Sequence, residues 1–146
     1  LAELRRQLDL AGTRIPLMLA ARGPRAMRLV DLHADLWDAN VPPVAGRLEP
    51  ARARLTRAIE TCIWVFARPL CSIEEAHRDY RKVSPSFADM PKEEARGAIL
   101  WGNAERCRHR LSALRRELEI DLPVLDLAGL DEAKCLAAIE LLAPAM

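Results

Sequence analysis

The stretch Ile15–Leu29, which reads IPLMLAARGPRAMRL, decides the fold of this chain together with the sequence HADLW at positions 33–37. Positions 15–21 form a continuous apolar run bounded by turn residues, which is typical of a strand buried on both faces. Gly23-Pro24 then ends the strand, and proline suits the first turn of the helix that we predict over 25–34. The stretch therefore predicts one strand–turn–helix unit of a parallel sheet.

The rest of the chain repeats this alternation of strands and helices. We predict further strands at 61–67, 98–101 and 122–127. We predict further helices at 1–10, 51–60, 72–83, 92–96, 103–118 and 131–142. Local end signals support several of them: Gly12 after the first helix, a capping box at Ser72–Glu75, caps at Asn103 and Asp131, and Pro144 after the last helix.

The predicted elements are a first helix followed by four β-α units, which pair in parallel through right-handed crossovers. Because segments 15–21 and 61–67 are apolar at consecutive positions, each needs cover on both faces. Either helices cover both sides of an open sheet, or the second face is the inside of a barrel. In the second case residues 1–146 form a single α/β domain, a parallel (βα)4 half of a TIM-type (β/α)8 barrel, and the other half comes from elsewhere.

The composition excludes several classes of protein. The 146 residues carry 22 basic and 21 acidic side chains, so no net field attracts nucleic acid or an anionic membrane. The longest uncharged apolar run covers only positions 15–21, far short of the roughly 20 residues of a membrane span. The start, LAELRR, lacks the layout of an export signal. We therefore expect a cytoplasmic protein without nucleic-acid or membrane partners.

The four cysteines are widely scattered, and none forms a C-x-x-C pair or stands at metal-ligand spacing from a histidine. They are Cys62, Cys71, Cys107 and Cys135. Each lies in or beside an apolar segment, where a free thiol behaves as a small hydrophobic group. We therefore expect free thiols in a reducing compartment and no metal site.

Three blocks of sequence resemble the luciferase-like monooxygenase family. The first is positions 15–29 followed by His33-Ala34-Asp35-Leu36-Trp37, which resembles a strand, a Gly-Pro turn and a helix that ends in His/Tyr-Ala-Asp-Gly-Trp. The second is Leu100-Trp101-Gly102-Asn103-Ala104-Glu105 with Arg110-Leu111. The third is positions 125–131 with 141–144. The resemblance covers nearly the whole chain, in order.

The resemblance implies a (β/α)8 barrel that binds FMN or an 8-hydroxy-5-deazaflavin coenzyme at the carboxyl ends of its strands. It also implies hydride transfer or oxygen-dependent monooxygenation of a small organic substrate. This chain would supply strands five to eight, the C-terminal half. Two positions depart from the family pattern: Leu36 stands where the family has glycine, and Asn103 replaces a threonine or serine.

The residues themselves point to a phosphate site at the turn Ala21-Arg22-Gly23-Pro24-Arg25, which we call the phosphate turn. A strand that runs into a helix presents backbone N–H groups at the positive end of that helix. Gly23 has no side chain to block close approach, and Arg22 and Arg25 can add charge-assisted hydrogen bonds. The alternative is that Gly-Pro only makes the turn and the arginines are solvated. We predict Arg68, just past a strand end, as an additional cofactor or substrate contact.

Other polar and aromatic residues have weaker interpretations. An acid–base role for Asp31, His33 and Asp35 competes with capping of the helix end, which we favour. Trp64 and Phe66 alternate along their strand, so one face of it could contact the cofactor ring, although core packing is the simpler interpretation. Trp37 and Asp38 are expected at the opposite, N-terminal rim. The catalytic residues remain unassigned.

These observations lead to one main hypothesis and two alternatives. The main one is a flavin- or deazaflavin-dependent oxidoreductase of which this half binds the cofactor phosphate, the isolated piece being inactive. The first alternative is a noncatalytic flavin-binding scaffold that covers its bare sheet by self-association. The second is a small open-sheet domain unrelated to flavins. The intact mass of the native product separates a fragment, about twice the mass of this chain as a whole barrel, from a product near 16.3 kDa.

Overall fold

Strands and helices alternate along the chain in the computed structural model, which describes residues 1–12 and 14–143. The strands are β1 (Met18–Ala20), β2 (Leu36–Asp38), β3 (Glu60–Pro69), β4 (Ile99–Gly102) and β5 (Leu122–Asp126). The helices are α1 (Ala2–Leu10), α2 (Pro24–His33), α3 (Glu49–Arg52), α4 (Ile73–Val83), α5 (Lys92–Ala98), α6 (Ala104–Glu117) and α7 (Glu132–Leu142), with a 3-10 turn at Pro85–Phe87. All strand pairs are parallel, which confirms the predicted α/β class.

The ten-residue strand β3 is the centre of the sheet. Its first residues pair with β2, its middle with β5 and its last four residues with β4, while β1 pairs with β2. The carbonyl of Cys62 accepts from the N–H of Ala39, after β2, and the carbonyl of Thr61 accepts from that of Asp121, before β5. Because successive residues of a strand direct these groups to opposite edges, β2 and β5 flank β3 on opposite sides.

Strand β2 corrects the predicted topology, since Trp37 and Asp38 were expected at the N-terminal rim beyond a helix. The helix α2 ends at His33, and the chain turns directly into a strand whose last residue, Asp38, lies at its carboxyl end. The sheet thus has five strands instead of four. A three-residue strand is too short for its alternation to be visible as a pattern.

The predicted helix over 51–60 is also wrong in most of its length. Only α3 forms, and the chain then leaves the helix in turns before β3 begins at Glu60. In this segment Arg57 donates to the carbonyls of Val30, Asp31 and Ala34 at the end of α2. The segment therefore serves as a C-terminal cap of another helix, a tertiary contact that local periodicity does not reveal.

The predicted helix ends are confirmed where a side chain or glycine defines them. Ser72 and Glu75 form the reciprocal capping box of α4. Asn103 accepts from the N–H of Arg106, and Asp131 from that of Lys134. Gly12 follows α1 with φ +66°, the left-handed conformation that glycine adopts most easily. Pro144 lies outside the described residues.

The two faces of the sheet are covered differently. One face carries Ile63, Val65 and Ala67 of β3, which pack with side chains of α2, α6 and α7 in the main core. On the opposite face, Phe66 packs against α4, α5 and the 3-10 turn in a second core. On the rest of that second face large apolar side chains are exposed, and we call it the open face. These side chains are Met18, Trp64 and Leu122.

The four cysteines are all free. Cys62 and Cys107 are buried, and Cys71 and Cys135 are partly buried. Burial raises the pKa of the Cys107 thiol to about 11, and it also raises the pKa of Cys62 and Cys71. Thiols held in the protonated form are poor nucleophiles, so these side chains act in packing.

Asp35 links the entrance of β1 to helix α1, and its ionisation should be visible in the acid stability of the protein. Its carboxylate accepts from the N–H of Leu17 at 2.8 Å and pairs with Arg5. The Leu17 hydrogen bond first, and Arg5 second, hold the pKa of Asp35 below its ordinary value. The stabilisation is thus present above the unfolded pKa of about 3.9 and is lost as pH falls through the lower folded value.

We therefore expect Asp35→Asn to reduce stability at pH 7 and to flatten the loss of stability below about pH 4. Urea unfolding at a series of pH values measures both effects. Arg5→Met, which removes only the second contact, should give an intermediate profile. If the free energy of unfolding falls equally steeply below pH 4 in the wild type and in Asp35→Asn, this role of Asp35 is contradicted.

Candidate functional site

The phosphate turn connects β1 to α2 at the surface and is hydrogen-bonded to β2. The N–H of Ala21 donates to the carbonyl of Asp38 at 3.1 Å, and the indole N–H of Trp37 donates to the carbonyl of Ala21 at 2.9 Å. Ala21 is buried, whereas Arg22, Gly23, Pro24 and Arg25 are exposed. The first residue of the turn is thus hydrogen-bonded to the last two residues of β2.

The N-terminus of α2 in this turn has no side-chain cap. Gly23 is the N-cap residue with extended backbone (φ −75°, ψ 155°), and Pro24 is the first helical residue. The N–H groups of the first turn have no intrahelical partner, so Arg25 and Ala26 present theirs at the positive end of the helix. A Cβ built on Gly23 meets no atom within 4 Å. The glycine is therefore not required by the packing of this chain.

Arginines surround a small cavity next to the turn. The cavity has a volume of about 130 Å³, and its charged lining residues are Arg22, Arg47 and Arg54. Arg47 is paired with Glu94. The lining of the cavity also includes the buried side chains of Trp37 and Leu48. A cavity with surplus positive charge beside an uncapped helix N-terminus suits an anion such as a phosphate.

A second cavity lies on the open face, beside the middle of β3 and at the carboxyl ends of β2 and β5. It has a volume of about 180 Å³, and we call it the Trp64 cavity. Its lining residues are Asn40, Val41, Trp64, Phe66, Ser84, Ser86 and Asp126. The indole N–H of Trp64 donates to the buried carboxylate of Asp38 at 3.2 Å, and that carboxylate also accepts from the N–H of Asn40 at 2.9 Å. Asp38 thereby fixes the orientation of a tryptophan ring that is 42% exposed.

Sequence reasoning missed Asp38, Asn40 and Asp126 as members of this cluster. Asp38 and Asn40 were missed because β2 was not recognised, and polar residues that follow a parallel strand would have been the signal. Asp126 ends a strand that was recognised, so its position at the same edge could have been derived. Trp64 and Phe66 lie on one face, as alternation predicts, but only Phe66 is in the core.

Arg68 lies inside β3, since that strand extends to Pro69, and not beyond the strand end. Its guanidinium is buried and donates to the carbonyls of Ala67 and Ala128 and to the hydroxyl of Tyr80. The cavity that it lines shares no residue with the cavity beside Arg22. The structure therefore does not bring Arg68 to the phosphate turn.

The acidic residues near the end of α2 have structural partners. Asp31 accepts hydrogen bonds from the N–H and the hydroxyl of Thr56, and these bonds lower its pKa. Asp35 accepts hydrogen bonds from the N–H of Leu17 and from Arg5. His33 is the last residue of α2 and lines an open cavity of about 470 Å³ with Arg14 and Arg57. The two carboxylates therefore have structural roles, but they do not cap the end of α2, whose last carbonyls accept from Arg57 instead.

Residues 1–12 and 14–143 contain no group of three or more His, Cys, Asp or Glu side chains arranged to hold a metal ion. Among the helices within the same described ranges, none combines the length and the apolar character needed to cross a bilayer.

Comparison with known proteins shows similarity in structure. No protein-family model matches the sequence, and no curated protein matches it. One similar solved structure is "F420-dependent secondary alcohol dehydrogenase in complex with an F420-acetone adduct", with a TM-score of 0.53 and 14% identity over 90% of this chain. Another is "apo-MsnO8", with a TM-score of 0.54 and 15% identity over 97% of this chain.

These similarities show the fold alone, a parallel sheet with alternating helices. The chain spans 50% of the length of the first protein and 59% of the length of the second. It thus corresponds to about half of each of them.

Proposed function

We propose that this chain binds the phosphate end of a flavin-type cofactor at the phosphate turn, as part of a luciferase-like oxidoreductase or monooxygenase. The observation that carries the proposal is the exposed N-terminus of α2, which no side chain caps and where Gly23 leaves open space. One structural neighbour is an F420-dependent enzyme, which supports a deazaflavin. FMN also carries a phosphate group and is the other candidate.

The residues of the turn fit a phosphate group chemically. Backbone N–H groups of Arg25 and Ala26 donate at the positive helix end, and Arg22 with Arg54 supplies charge. Trp37 and Asp38 keep Ala21 in place, so the turn is preorganised before a ligand arrives. When bound, the cofactor ring supplies the redox chemistry, which this chain's side chains do not provide.

In this proposal the Trp64 cavity receives the planar part of the ligand. It lies at the carboxyl ends of β2 and β5, the strand end at which barrel enzymes have their active sites. The exposed indole of Trp64, oriented by Asp38, offers a flat apolar surface for stacking. Asn40, Ser84 and Ser86 can hydrogen-bond polar edges of a ring system.

The open face belongs to the same proposal, because a luciferase-like barrel would enclose it. Met18, Trp64 and Leu122 are large apolar side chains exposed on one side of a parallel sheet, which is normally covered on both faces. Either the remaining half-barrel or a second copy covers them. Multi-angle light scattering of the purified chain distinguishes the two: a dimer supports the self-associating scaffold, and a monomer supports the missing half.

Gly23→Ala tests the phosphate turn with little cost to the fold. Because the added Cβ meets no protein atom and the backbone is extended, we expect stability to change by no more than about 1 kcal/mol. The wild type should bind FMN more tightly than riboflavin by about tenfold, since charge-assisted hydrogen bonds contribute about 1.5–3 kcal/mol. In the variant this difference should shrink to about twofold or less.

Calorimetric titration with FMN and riboflavin measures the difference, and F420 with its phosphate-free precursor gives the parallel comparison. Gly97→Ala is the matched control, because Gly97 lies in a different helix, α5, and its added Cβ has a single contact within 4 Å, at 3.7 Å. Equal affinities of the wild type for FMN and riboflavin, or a difference that survives Gly23→Ala, would overturn the proposed phosphate site.

A further inference from the structure

Strand register brings a carboxylate to one end of the Trp64 cavity. In the pairing of β3 with β5, Phe66 is opposite Asp126. Because side chains alternate between the two faces of a sheet, paired residues of neighbouring strands point to the same face. The Asp126 side chain therefore leaves β5 on the face that carries Trp64 and Phe66, and it lines the cavity with both of them. The cavity thus combines a carboxylate with an aromatic wall.

One oxygen of the Asp126 carboxylate is already used, and the other is free for a ligand. Oδ1 accepts from the N–H of Ala128 at 2.8 Å, which orients the carboxylate in the turn after β5. Within residues 1–12 and 14–143, Oδ2 has no hydrogen-bond partner and Asp126 forms no salt bridge. Asp126 is half-buried, so water screens its charge less than that of an exposed carboxylate.

The surroundings of the cavity do not neutralise this charge. The other lining residues in the described part of the chain are neutral, namely Asn40, Val41, Trp64, Phe66, Ser84 and Ser86. The carboxylate of Asp38 adds a second negative charge, since it accepts from the indole N–H of Trp64 at 3.2 Å. A cavity with this charge and with aromatic walls suits an organic cation.

The buried cation Arg68 is occupied elsewhere. It follows Phe66 by two residues on β3, but it is not among the lining residues of the Trp64 cavity. Its guanidinium donates to the hydroxyl of Tyr80 and to the carbonyl of Ala128. With a side chain only 2% exposed and no salt bridge to Asp126, Arg68 leaves that carboxylate available to a ligand.

We propose that the Trp64 cavity binds a small protonated amine, with its ammonium group against Asp126 and its short alkyl group directed toward Trp64. The ammonium donates to the free carboxylate oxygen, and the hydroxyl oxygens of Ser84 and Ser86 are further acceptors. The volume of about 180 Å³ is below the roughly 300–1,000 Å³ of pockets for drug-sized ligands, which suits an amine with a short alkyl chain.

The inference rests on the proposed function only in making this amine the substrate of the oxidoreductase. The ammonium occupies the end of the cavity at Phe66, which is 6% exposed, while the indole of Trp64, 42% exposed, is left to the cofactor ring. The alkyl carbons of the amine would then lie next to that ring. Binding of the amine itself needs no cofactor, so it can be measured separately from the phosphate turn.

Butylamine, protonated at pH 7, is the probe, with butanol and butyrate as its neutral and anionic counterparts. Chemical-shift titration of the isotope-labelled chain, without cofactor, measures their affinities. We expect butylamine to bind about tenfold more tightly than butanol, and butyrate more weakly than both. Asp126→Asn keeps an acceptor for the N–H of Ala128 but removes the charge, so the preference for butylamine should fall to about twofold or less. Asp89→Asn, at an exposed position that does not line the cavity, is the matched control and should retain the preference.

A second variant tests the cavity without changing any charge. Ser86 lines the cavity and is exposed, so Ser86→Leu should fill the space without disturbing the core. It should weaken butylamine and butanol alike, by about tenfold. Equal affinities of the wild type for butylamine and butanol, or a preference that survives Asp126→Asn, would overturn the inference. Displacement of butylamine by FMN would also overturn it, because the two would then occupy the same space. Failure of the Gly23→Ala test would refute the phosphate site alone, since the amine is titrated without a cofactor.

Discussion

Replacing Trp37 by alanine is expected to destabilise the protein by about 3–5 kcal/mol, the usual cost of truncating a fully buried tryptophan. Trp37 is 0% exposed and belongs to the main core, between β1 and β3. A loss of this size is a large part of the about 5–15 kcal/mol by which domains are stable. Urea unfolding followed by circular dichroism should show a midpoint displaced far below that of the wild type.

Two variants separate the packing role of Trp37 from its hydrogen bond to Ala21. Trp37→Phe keeps most of the apolar volume but removes the indole N–H, so we expect a smaller loss of about 1–2 kcal/mol and a weaker preference for FMN over riboflavin. Leu32→Ala, at an exposed position of α2, should change stability by less than about 0.5 kcal/mol. A Trp37→Ala variant within 1 kcal/mol of the wild type would show that β2 is not packed as described.

Tyr80→Phe is expected to cost about 2–4 kcal/mol, although it removes a single oxygen atom. That hydroxyl accepts from the N–H of Ala67 and from Arg68, each at 2.8 Å, and donates to the carbonyl of Asp126. Each buried group left without a partner costs about 1–3 kcal/mol, with partial relaxation. The ring contacts with Phe66 and Phe87, at 5.1 and 5.2 Å, remain in the variant.

The alkaline pH profile provides the control for Tyr80→Phe. Burial is the main cause that raises the pKa of Tyr80 well above its ordinary value, and this is the only tyrosine of the chain. The stabilisation linked to its raised pKa is fully present below the unfolded pKa of about 10 and is lost as pH rises toward the folded value. Tyr80→Phe should therefore lose less stability than the wild type between pH 9.5 and 11. If the stability of the wild type and of Tyr80→Phe falls equally with pH in this range, the buried hydrogen-bond network of the Tyr80 hydroxyl is contradicted.

The parts of the fold that could be predicted from sequence are those with local causes. Asn103, Asp131 and the Ser72–Glu75 pair act within one helical turn of themselves, so their roles are visible in the sequence. The strand β2 has only three residues, and it depends on pairing with β1 and β3 and on the burial of Trp37 in the main core. The turns after α3 likewise depend on contacts of Arg57 with a helix more than twenty residues earlier.

The same distinction between local causes and long-range contacts applies to the candidate site. The conformation of the phosphate turn follows from Gly23 and Pro24, which are adjacent, and it was predictable. The bond between Asp38 and Trp64 joins residues 26 positions apart, and that between Tyr80 and Asp126 joins residues 46 apart. Such pairs depend on strand register, which the sequence defines only once every strand is recognised. Arg68 was predicted as a ligand contact, but its burial beside Tyr80 follows from the same register.

The central position of β3 has a consequence for the time at which this chain can fold. Cys62 in β3 is opposite Leu122 in β5, so the partner of this edge lies 122 − 62 = 60 residues further along the chain. At a ribosomal rate of roughly 5–20 residues per second, the edge stays unpaired for about 3–12 s during synthesis. An apolar strand with a free edge can pair with other chains. The nascent chain is thus exposed to aggregation until β5 has been made.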